Sequence, residues 1–108
     1  MDSEQLLTRL VEFRDARDWK QYHTKENLAK SVVIEAGELL ELFQWGDSPS
    51  IDELRDEIAD IMIYCFLLAA ELQEDPLELM QAKLERNEQR FPVERVKGTN
   101  GKTTRVDS

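Results

Sequence analysis

Two consecutive segments decide the fold of this chain: residues 28–43, LAKSVVIEAGELLELF, and residues 50–72, SIDELRDEIADIMIYCFLLAAEL. In both segments apolar residues return every three or four positions, which is the spacing of one face of an α-helix. The two apolar stripes consist of Leu28, Val32, Leu39, Leu42 and Phe43, and of Leu54, Ile58, Ile61, Cys65, Leu68 and Leu72. Two amphipathic helices in succession are therefore predicted at the centre of the chain.

One further helix is expected on each side of this pair. Their apolar stripes are Leu6, Leu7, Leu10, Val11 and Phe13, and Leu77, Met80, Leu84 and Phe91. Ser, Thr and Asp side chains cap helix N-termini, whereas Gly or Pro often follows a helix C-terminus. The expected caps are Ser3, Thr24, Ser50 and Asp75, and the expected stops are Gly46 and Pro92. Since Gly (4) and Pro (3) are also too scarce for a many-stranded β protein, an all-α subunit of four helices is predicted.

Size and composition predict one domain in a soluble protein. A chain of 108 residues is long enough for a single domain. We assign residues 1–96 to that domain and residues 97–108, rich in Gly, Thr, Asn and Lys, to a flexible C-terminal tail. The N-terminal residues lack the features of a signal peptide, and the longest apolar run, Ile61–Ala70, is well short of the ~20 residues of a membrane span. Because Cys65 also has no partner for an internal disulfide, a cytoplasmic protein without a membrane partner is expected.

The net charge limits which partners the chain can bind. It carries 14 basic and 23 acidic residues, for a net charge of −9. An acidic surface repels a polyphosphate backbone, and no basic stripe offsets it, so no nucleic-acid partner is expected. If the substrate is itself an anion, the acidic groups must bind it through a cation.

Carboxylates occur within or beside the apolar stripes of the two central helices. Glu35 falls inside the stripe of the first helix, and Glu38 borders it one turn later. Glu57 and Asp60 flank the stripe of the second helix with the same spacing. An unpaired carboxylate in a core is costly, so a converging set of four would need a counter-charge. The alternative is that these residues lie on solvated faces and pair with Lys and Arg one turn away.

The residue types favour a hard divalent cation as that counter-charge. Mg²⁺ combines a few carboxylates with water and substrate phosphates. A carboxylate-bridged di-iron centre instead needs Glu-x-x-His pairs on two helices, and His23 is the single histidine of the chain. Magnesium, with manganese as a possible substitute, therefore fits the pattern best.

These residues carry a resemblance to a known family. The motifs are residues 35–45, EAGELLELFQW, residues 56–64, DEIADIMIY, residues 17–23, RDWKQYH, then Asn27-Leu28, and Lys83 and Asn87 ahead of Phe91-Pro92. In order and spacing they resemble the E-x-x-E…E-x-x-D signature of the MazG-like all-α nucleotide pyrophosphohydrolases, and the dCTP pyrophosphatase branch in particular. The resemblance covers roughly residues 5–93. The chain departs from that branch at Leu10, where related enzymes can place a histidine, and at Lys25-Glu26, where Pro-Arg is common.

The resemblance implies a four-helix subunit of the all-α pyrophosphatase type that forms a helical bundle across a dimer interface, as a homodimer or homotetramer. It implies that a nucleoside triphosphate, dCTP or a modified dCTP, is cleaved to the monophosphate and pyrophosphate in nucleotide-pool house-cleaning. The implied Mg²⁺ ligands are Glu35, Glu38, Glu57 and Asp60. The implied substrate-binding residues are Trp19 and Trp45 beside the base, Tyr64 in the pocket, and Lys83 and Asn87 at the phosphates or sugar.

The general base has two candidates, and the function has two alternatives. Metal-assisted attack by water needs a general base, for which Glu38 and Glu41 are the candidates. A related hydrolase acting on dUTP or phosphoribosyl-ATP would carry the same carboxylates. A non-catalytic helical oligomerisation module would carry them as surface charges. The third helix is apolar on every side between Ile61 and Ala70, so we expect its face at Met62, Ile63 and Phe66 to pack against a second subunit.

Overall fold

The fold is all-α, as predicted. The computed structural model describes residues 1–46 and 48–99, and within these ranges it contains helices and no strand. The helices are α1 (Ser3–Ala16), a short 3-10 helix (Lys20–Tyr22), α2 (Lys25–Glu41), α3 (Ile51–Glu71), α4 (Pro76–Arg90) and α5 (Val93–Val96). The four long helices correspond to the four predicted ones, and the four-residue α5 was not expected. Of the predicted C-terminal tail, residues 100–108 lie outside the described residues.

Side-chain caps explain where the first three long helices begin. Thr24 Oγ1 accepts a hydrogen bond from the Asn27 N–H at 3.1 Å, and Ser50 Oγ accepts one from the Glu53 N–H at 3.4 Å, so α2 and α3 begin where predicted. The cap of α1 is Asp2 instead of Ser3. The Asp2 carboxylate accepts from the Gln5 N–H, and the Gln5 side chain accepts from the Asp2 N–H, both at 2.8 Å. This reciprocal pair satisfies two N–H groups, whereas Ser3 becomes the first helical residue.

Of the two predicted C-terminal boundaries, that of α2 differs from the prediction and that of α4 agrees with it. Helix α2 ends at Glu41, and residues 42–45 form turns, so Gly46 lies several residues beyond the end that it was expected to mark. Helix α4 ends at Arg90, directly before Phe91 and the expected stop at Pro92.

The described residues form two compact units, with the division after Pro76. In the first unit α3 packs along α2 and also contacts α1. Leu6 and Leu10 share an apolar groove with Ala59 and Met62, whereas Arg14 pairs with Glu71, so α1 runs in the same direction as α3. The apolar residues of the core are Leu28, Phe66, Leu67 and Ala69.

Two expectations for α3 are wrong. Phe66 was assigned to the face left for a second subunit, but its side chain is only 9% exposed because it packs within the first unit. Cys65 was assigned to the core and is exposed instead. Met62 (50% exposed) and Ile63 (37%) do lie on an uncovered face. Both errors have the same origin: a helix that is apolar all round does not reveal which side its neighbours cover.

Much apolar surface of the single chain is uncovered. The large apolar side chains that are at least half exposed on the long helices include Val33, Ile34 and Leu40 on α2 and Leu77, Met80 and Leu84 on α4. Scattered apolar residues are ordinary on a protein surface, whereas neighbouring ones at helical spacing indicate a face that another surface covers. Within the described ranges, no helix has the length and hydropathy to cross a membrane.

Candidate active site

Carboxylates from α2 and α3 meet between the two helices. Glu35 of α2 and Glu57 and Asp60 of α3 each place one carboxylate oxygen within 4.8 Å of the others. Glu38 lies one turn after Glu35, and its charge acts on both Glu35 and Glu57, so it faces the same cluster. We call these four residues the carboxylate cluster. Helical spacing explains it, because residues three apart on a helix lie on one face.

The electrostatics of the carboxylate cluster favour protonation in the absence of a counter-charge. Burial, and then the neighbouring carboxylates of Glu57 and Glu38, raise the pKa of Glu35 to about 7. Burial also raises the pKa of Glu57, with further contributions from the charges of Glu38 and Asp60. Burial is therefore the main cause of both shifts, and the like charges held a few ångströms apart add to it because each disfavours ionisation of the others.

Two buried oxygen atoms of the carboxylate cluster lack a partner. Among the described residues, neither Oε2 of Glu35 nor Oε2 of Glu57 has a hydrogen-bond donor, although both atoms are buried. Buried polar atoms nearly always have a partner, and unpaired carboxylate oxygens are the ligands that hard divalent cations prefer. The donor set therefore fits a divalent cation held by Glu35, Glu57 and Asp60, with Glu38 beside them.

A cavity of about 480 Å³ opens beside the carboxylate cluster, within the first unit. Its walls come from α1, α2, α3 and the two residues that flank the 3-10 helix, Trp19 and His23. The lining residues are Leu6, Arg9, Leu10, Phe13, Arg14, Trp19, His23, Glu35, Asp60, Ile63, Tyr64 and Leu67. The Phe13 and Trp19 rings meet edge to face, with their centroids 5.7 Å apart. An apolar and aromatic cavity with a few charged groups is typical of a small-molecule site.

A second charged group lies at the other end of this cavity, away from the carboxylate cluster. Arg14 is 5% exposed, and its Nη1 donates to Glu71 Oε1 at 3.3 Å while its Nε donates to Asp15 at 2.9 Å. Lys20 Nζ approaches the same Glu71 oxygen at 3.3 Å. Burial, and next the positive charge of Arg14, hold the pKa of His23 below its ordinary value. The cavity therefore joins an acidic end to an end where positive and negative charges balance.

The structure places the predicted site residues in three groups. Glu35, Asp60, Trp19 and Tyr64 line the cavity, and Glu57 and Glu38 complete the carboxylate cluster. Trp45 and Glu41 do not line it within the part of the chain that is described, and Trp45 is 92% exposed. Lys83 is exposed and Asn87 half-buried on α4, in the second unit.

Sequence reasoning missed Arg9, Arg14 and His23 as lining residues. Arg14 follows Leu10 by four positions, so it lies beside the apolar stripe of α1. The same signal, a charged residue at a stripe position, singled out Glu35 on α2. Applied to α1, it would have found Arg14. Arg9 gives the same signal, three positions after Leu6 and four before Phe13, whereas His23 lies in a loop and gives none.

Comparisons with known proteins show the family of this chain. A family model described as the MazG-like family matches residues 30–105. The dCTP pyrophosphatase 1 of Mus musculus is 37% identical over 104 residues (87% of this chain and 61% of that protein), and that of Homo sapiens is 37% identical over 107 residues (89% and 62%). The chain thus spans about three fifths of the length of these curated relatives. The crystal structure of a pyrophosphatase from Archaeoglobus fulgidus superposes with a TM-score of 0.72 at 43% identity, covering 82% of this chain and 91% of that one. With the family model covering well over half of its length, this chain belongs to the MazG-like family.

Proposed function

We propose that this protein is a Mg²⁺-dependent nucleoside triphosphate pyrophosphohydrolase that converts dCTP or a modified dCTP to the monophosphate and pyrophosphate. The observation that carries the proposal is the carboxylate cluster at one end of a cavity with aromatic walls. The carboxylate cluster, through a cation, suits the triphosphate, and the aromatic walls of the cavity suit the base. Relatives named dCTP pyrophosphatase 1 support the choice of base.

The carboxylate cluster would hold the cation and so allow an acidic protein to bind a polyphosphate. Glu35, Glu57 and Asp60 supply the oxygen ligands, and Glu38 adds a fourth carboxylate. The chemistry that Mg²⁺, or Mn²⁺ in its place, would supply there is charge neutralisation at the phosphate oxygens and a lower pKa of a water molecule. Glu38 is an exposed member of the carboxylate cluster, so it is the first candidate to accept a proton from the attacking water. Glu41, one turn further along α2, is the second candidate.

The remaining residues have roles that follow from their chemistry. Trp19 and Tyr64 line the cavity and provide planar surfaces on which a base can stack, worth about 1–3 kcal/mol per base. Lys83 and Asn87 would bind the phosphates or the sugar. Trp45 is 92% exposed in a single chain. It would contact the base only if another protein surface packed against it.

We also propose that the protein works as a homodimer or homotetramer in the cytoplasm. The support for self-association is the uncovered apolar surface on α2, α3 and α4, including Leu40 (73% exposed) and Met62 (50%). Exposed apolar faces of this kind indicate an interface between subunits, most often across a two-fold axis. The bundle predicted across a dimer interface would form there. The cytoplasmic location rests on the composition.

The deciding experiment is pyrophosphate release from a panel of triphosphates, measured with Mg²⁺ and with EDTA. We expect release from dCTP that requires Mg²⁺, lower release from dUTP and the other triphosphates, and a loss of at least 100-fold in Asp60→Asn. Asp52→Asn is the matched control, because Asp52 is exposed on the same helix and pairs with Arg55. Preferred cleavage of dUTP or phosphoribosyl-ATP would show a different hydrolase of the same family. Release from no nucleotide would favour a non-catalytic module and refute the proposal.

A further inference from the structure

We propose that Arg14, held in place by Glu71, recognises the base of the substrate at its end of the cavity and selects cytosine over uracil. The inference rests on the proposed function for the identity of the substrate. It assigns a specificity-determining role to a residue outside the carboxylate cluster. Three observations carry it: the distance of Arg14 from the carboxylate cluster, the balance of charge around Arg14, and the guanidinium donor that has no acceptor among the described residues.

The first observation is the distance between Arg14 and the carboxylate cluster. Glu71, which pairs with Arg14, lies on the same helix as Asp60. Side chains on a helix lean toward its N-terminus, so the Glu71 carboxylate lies level with Leu67, which also lines the cavity. The Asp60 side chain leans in the same direction, so the eleven residues from Asp60 to Glu71 place the two carboxylates about 16 Å apart along the helix axis. The bound cation at one end and the Arg14 guanidinium at the other each take up part of this length, and a nucleoside with its 5′-phosphate at the cation spans the rest.

The second observation is the charge around Arg14. Glu71 and Asp15 accept hydrogen bonds from its guanidinium, and Lys20 also pairs with Glu71. Two cations thus face two carboxylates, and this end of the cavity carries little net charge. A phosphate would need an unbalanced positive charge, whereas a neutral base needs only donors and acceptors with the right geometry. The charge balance therefore favours the base at this end.

The third observation is the unused hydrogen-bonding capacity. Nη1 and Nε of Arg14 have acceptors, but Nη2 has none among the described residues, and Arg14 lines the cavity. His23 lines it as well, and its Nδ1 is buried without a partner in the same part of the chain. Buried polar groups without partners are rare, so a bound ligand is the natural partner of His23 Nδ1, and Nη2 of Arg14 is available to donate to the same ligand. Trp19 provides an aromatic wall of the same cavity.

The chemistry of a guanidinium predicts which base it prefers. Arginine carries donors only and cannot accept a hydrogen bond. Cytosine presents two adjacent acceptors, O2 and N3, whereas uracil carries a hydrogen on N3 that would face the arginine donors. The mismatch leaves a buried donor unpaired, and such mismatches discriminate strongly between similar ligands. Guanine also offers adjacent acceptors, O6 and N7, so a guanine nucleotide belongs in the test.

The test measures binding instead of turnover. Isothermal titration calorimetry with dCMP, dUMP and dGMP in Mg²⁺ compares the parent protein with Arg14→Gln. We expect the parent to bind dCMP at least tenfold tighter than dUMP, and the variant to bind the two within threefold of each other. A glutamine side chain at this position offers both a donor and an acceptor, so it no longer distinguishes the two bases. Arg55→Gln, which removes an exposed arginine paired with Asp52, is the matched control and should keep the parent ratio.

Two further measurements separate a role in base selection from a role in folding. Glu71 keeps Lys20 as a partner when Arg14 is replaced, so Arg14→Gln should retain the parent helicity. Arg14→Lys keeps the charge but loses the fork of donors, and it should also lose the preference for dCMP. An unchanged preference in either folded variant, or tighter binding of dGMP than dCMP by the parent, overturns the inference. A protein that prefers dCMP through Arg14 but hydrolyses no triphosphate would refute the proposed function and leave this inference standing.

Discussion

Replacing Glu35 by Gln should stabilise the metal-free protein at pH 8 while destroying its response to Mg²⁺. Glu35 has a pKa raised from an ordinary value of 4.5 to about 7, chiefly by burial. A carboxylate whose pKa is higher in the folded state costs stability above its unfolded pKa. The cost grows as the pH rises from 4.5 to 7 and is complete above that range. A neutral Gln of the same shape removes it.

The magnitude follows from the shift. A rise from 4.5 to about 7 corresponds to about 3 kcal/mol if fully felt. Because the side chain is partly exposed, solvent screening reduces this to about 1–2 kcal/mol. We therefore expect Glu35→Gln to raise the free energy of unfolding by that amount at pH 8 in EDTA, and to change it little at pH 5. In Mg²⁺ the parent should instead have the larger free energy of unfolding, since only the parent gains stability from binding the cation.

Urea denaturation followed by circular dichroism at pH 5 and pH 8, in EDTA and in Mg²⁺, measures these differences. Glu26→Gln is the control, because Glu26 is exposed on the same helix and pairs only with Lys30 among the described residues. The free energy of unfolding of Glu26→Gln should differ little from that of the parent, and this difference should not depend on Mg²⁺. A Glu35→Gln protein that is less stable than the parent at pH 8 in EDTA would refute the electrostatic account of the carboxylate cluster.

Two further predictions concern catalysis and assembly. If Glu38 is the general base, Glu38→Gln should abolish Mg²⁺-dependent pyrophosphate release with the helicity unchanged. Glu41→Gln should then reduce pyrophosphate release by less than tenfold. The opposite ranking of the two variants in the same assay would assign the base to Glu41. Met62→Lys should shift the protein toward a monomer in light scattering and lower its activity, because it places a charge on an uncovered apolar face, whereas Lys30→Met, on an exposed site of α2, should keep the parent assembly. A fully active monomeric parent would contradict this prediction.

The carboxylates show how far the sequence alone leads toward the site. Glu35 was found because an acidic residue interrupts an apolar stripe, and Glu57 and Asp60 because they repeat the spacing on the next helix. This reasoning needs only the geometry of one helix and the cost of burying a charge. The same reasoning did not identify Arg14 on α1. Arg14 also lies beside an apolar stripe, but that stripe is weaker, and its partner Glu71 lies 57 positions away in the chain.

The sequence by itself determined the helices, most of their starting points and the residues able to hold a cation. Each of these depends on interactions within a few positions of one another: apolar periodicity, side-chain caps such as Thr24 and Ser50, and carboxylates one turn apart. The tertiary structure decided which faces meet. It buried Phe66, left Cys65 and Trp45 exposed, and set α1 beside α3 so that Arg14 reaches Glu71 and lines the cavity. The physical reason is that α3 is apolar on every side, so its own sequence is compatible with several ways of packing. Which of them forms depends on how all the helices pack against that surface together.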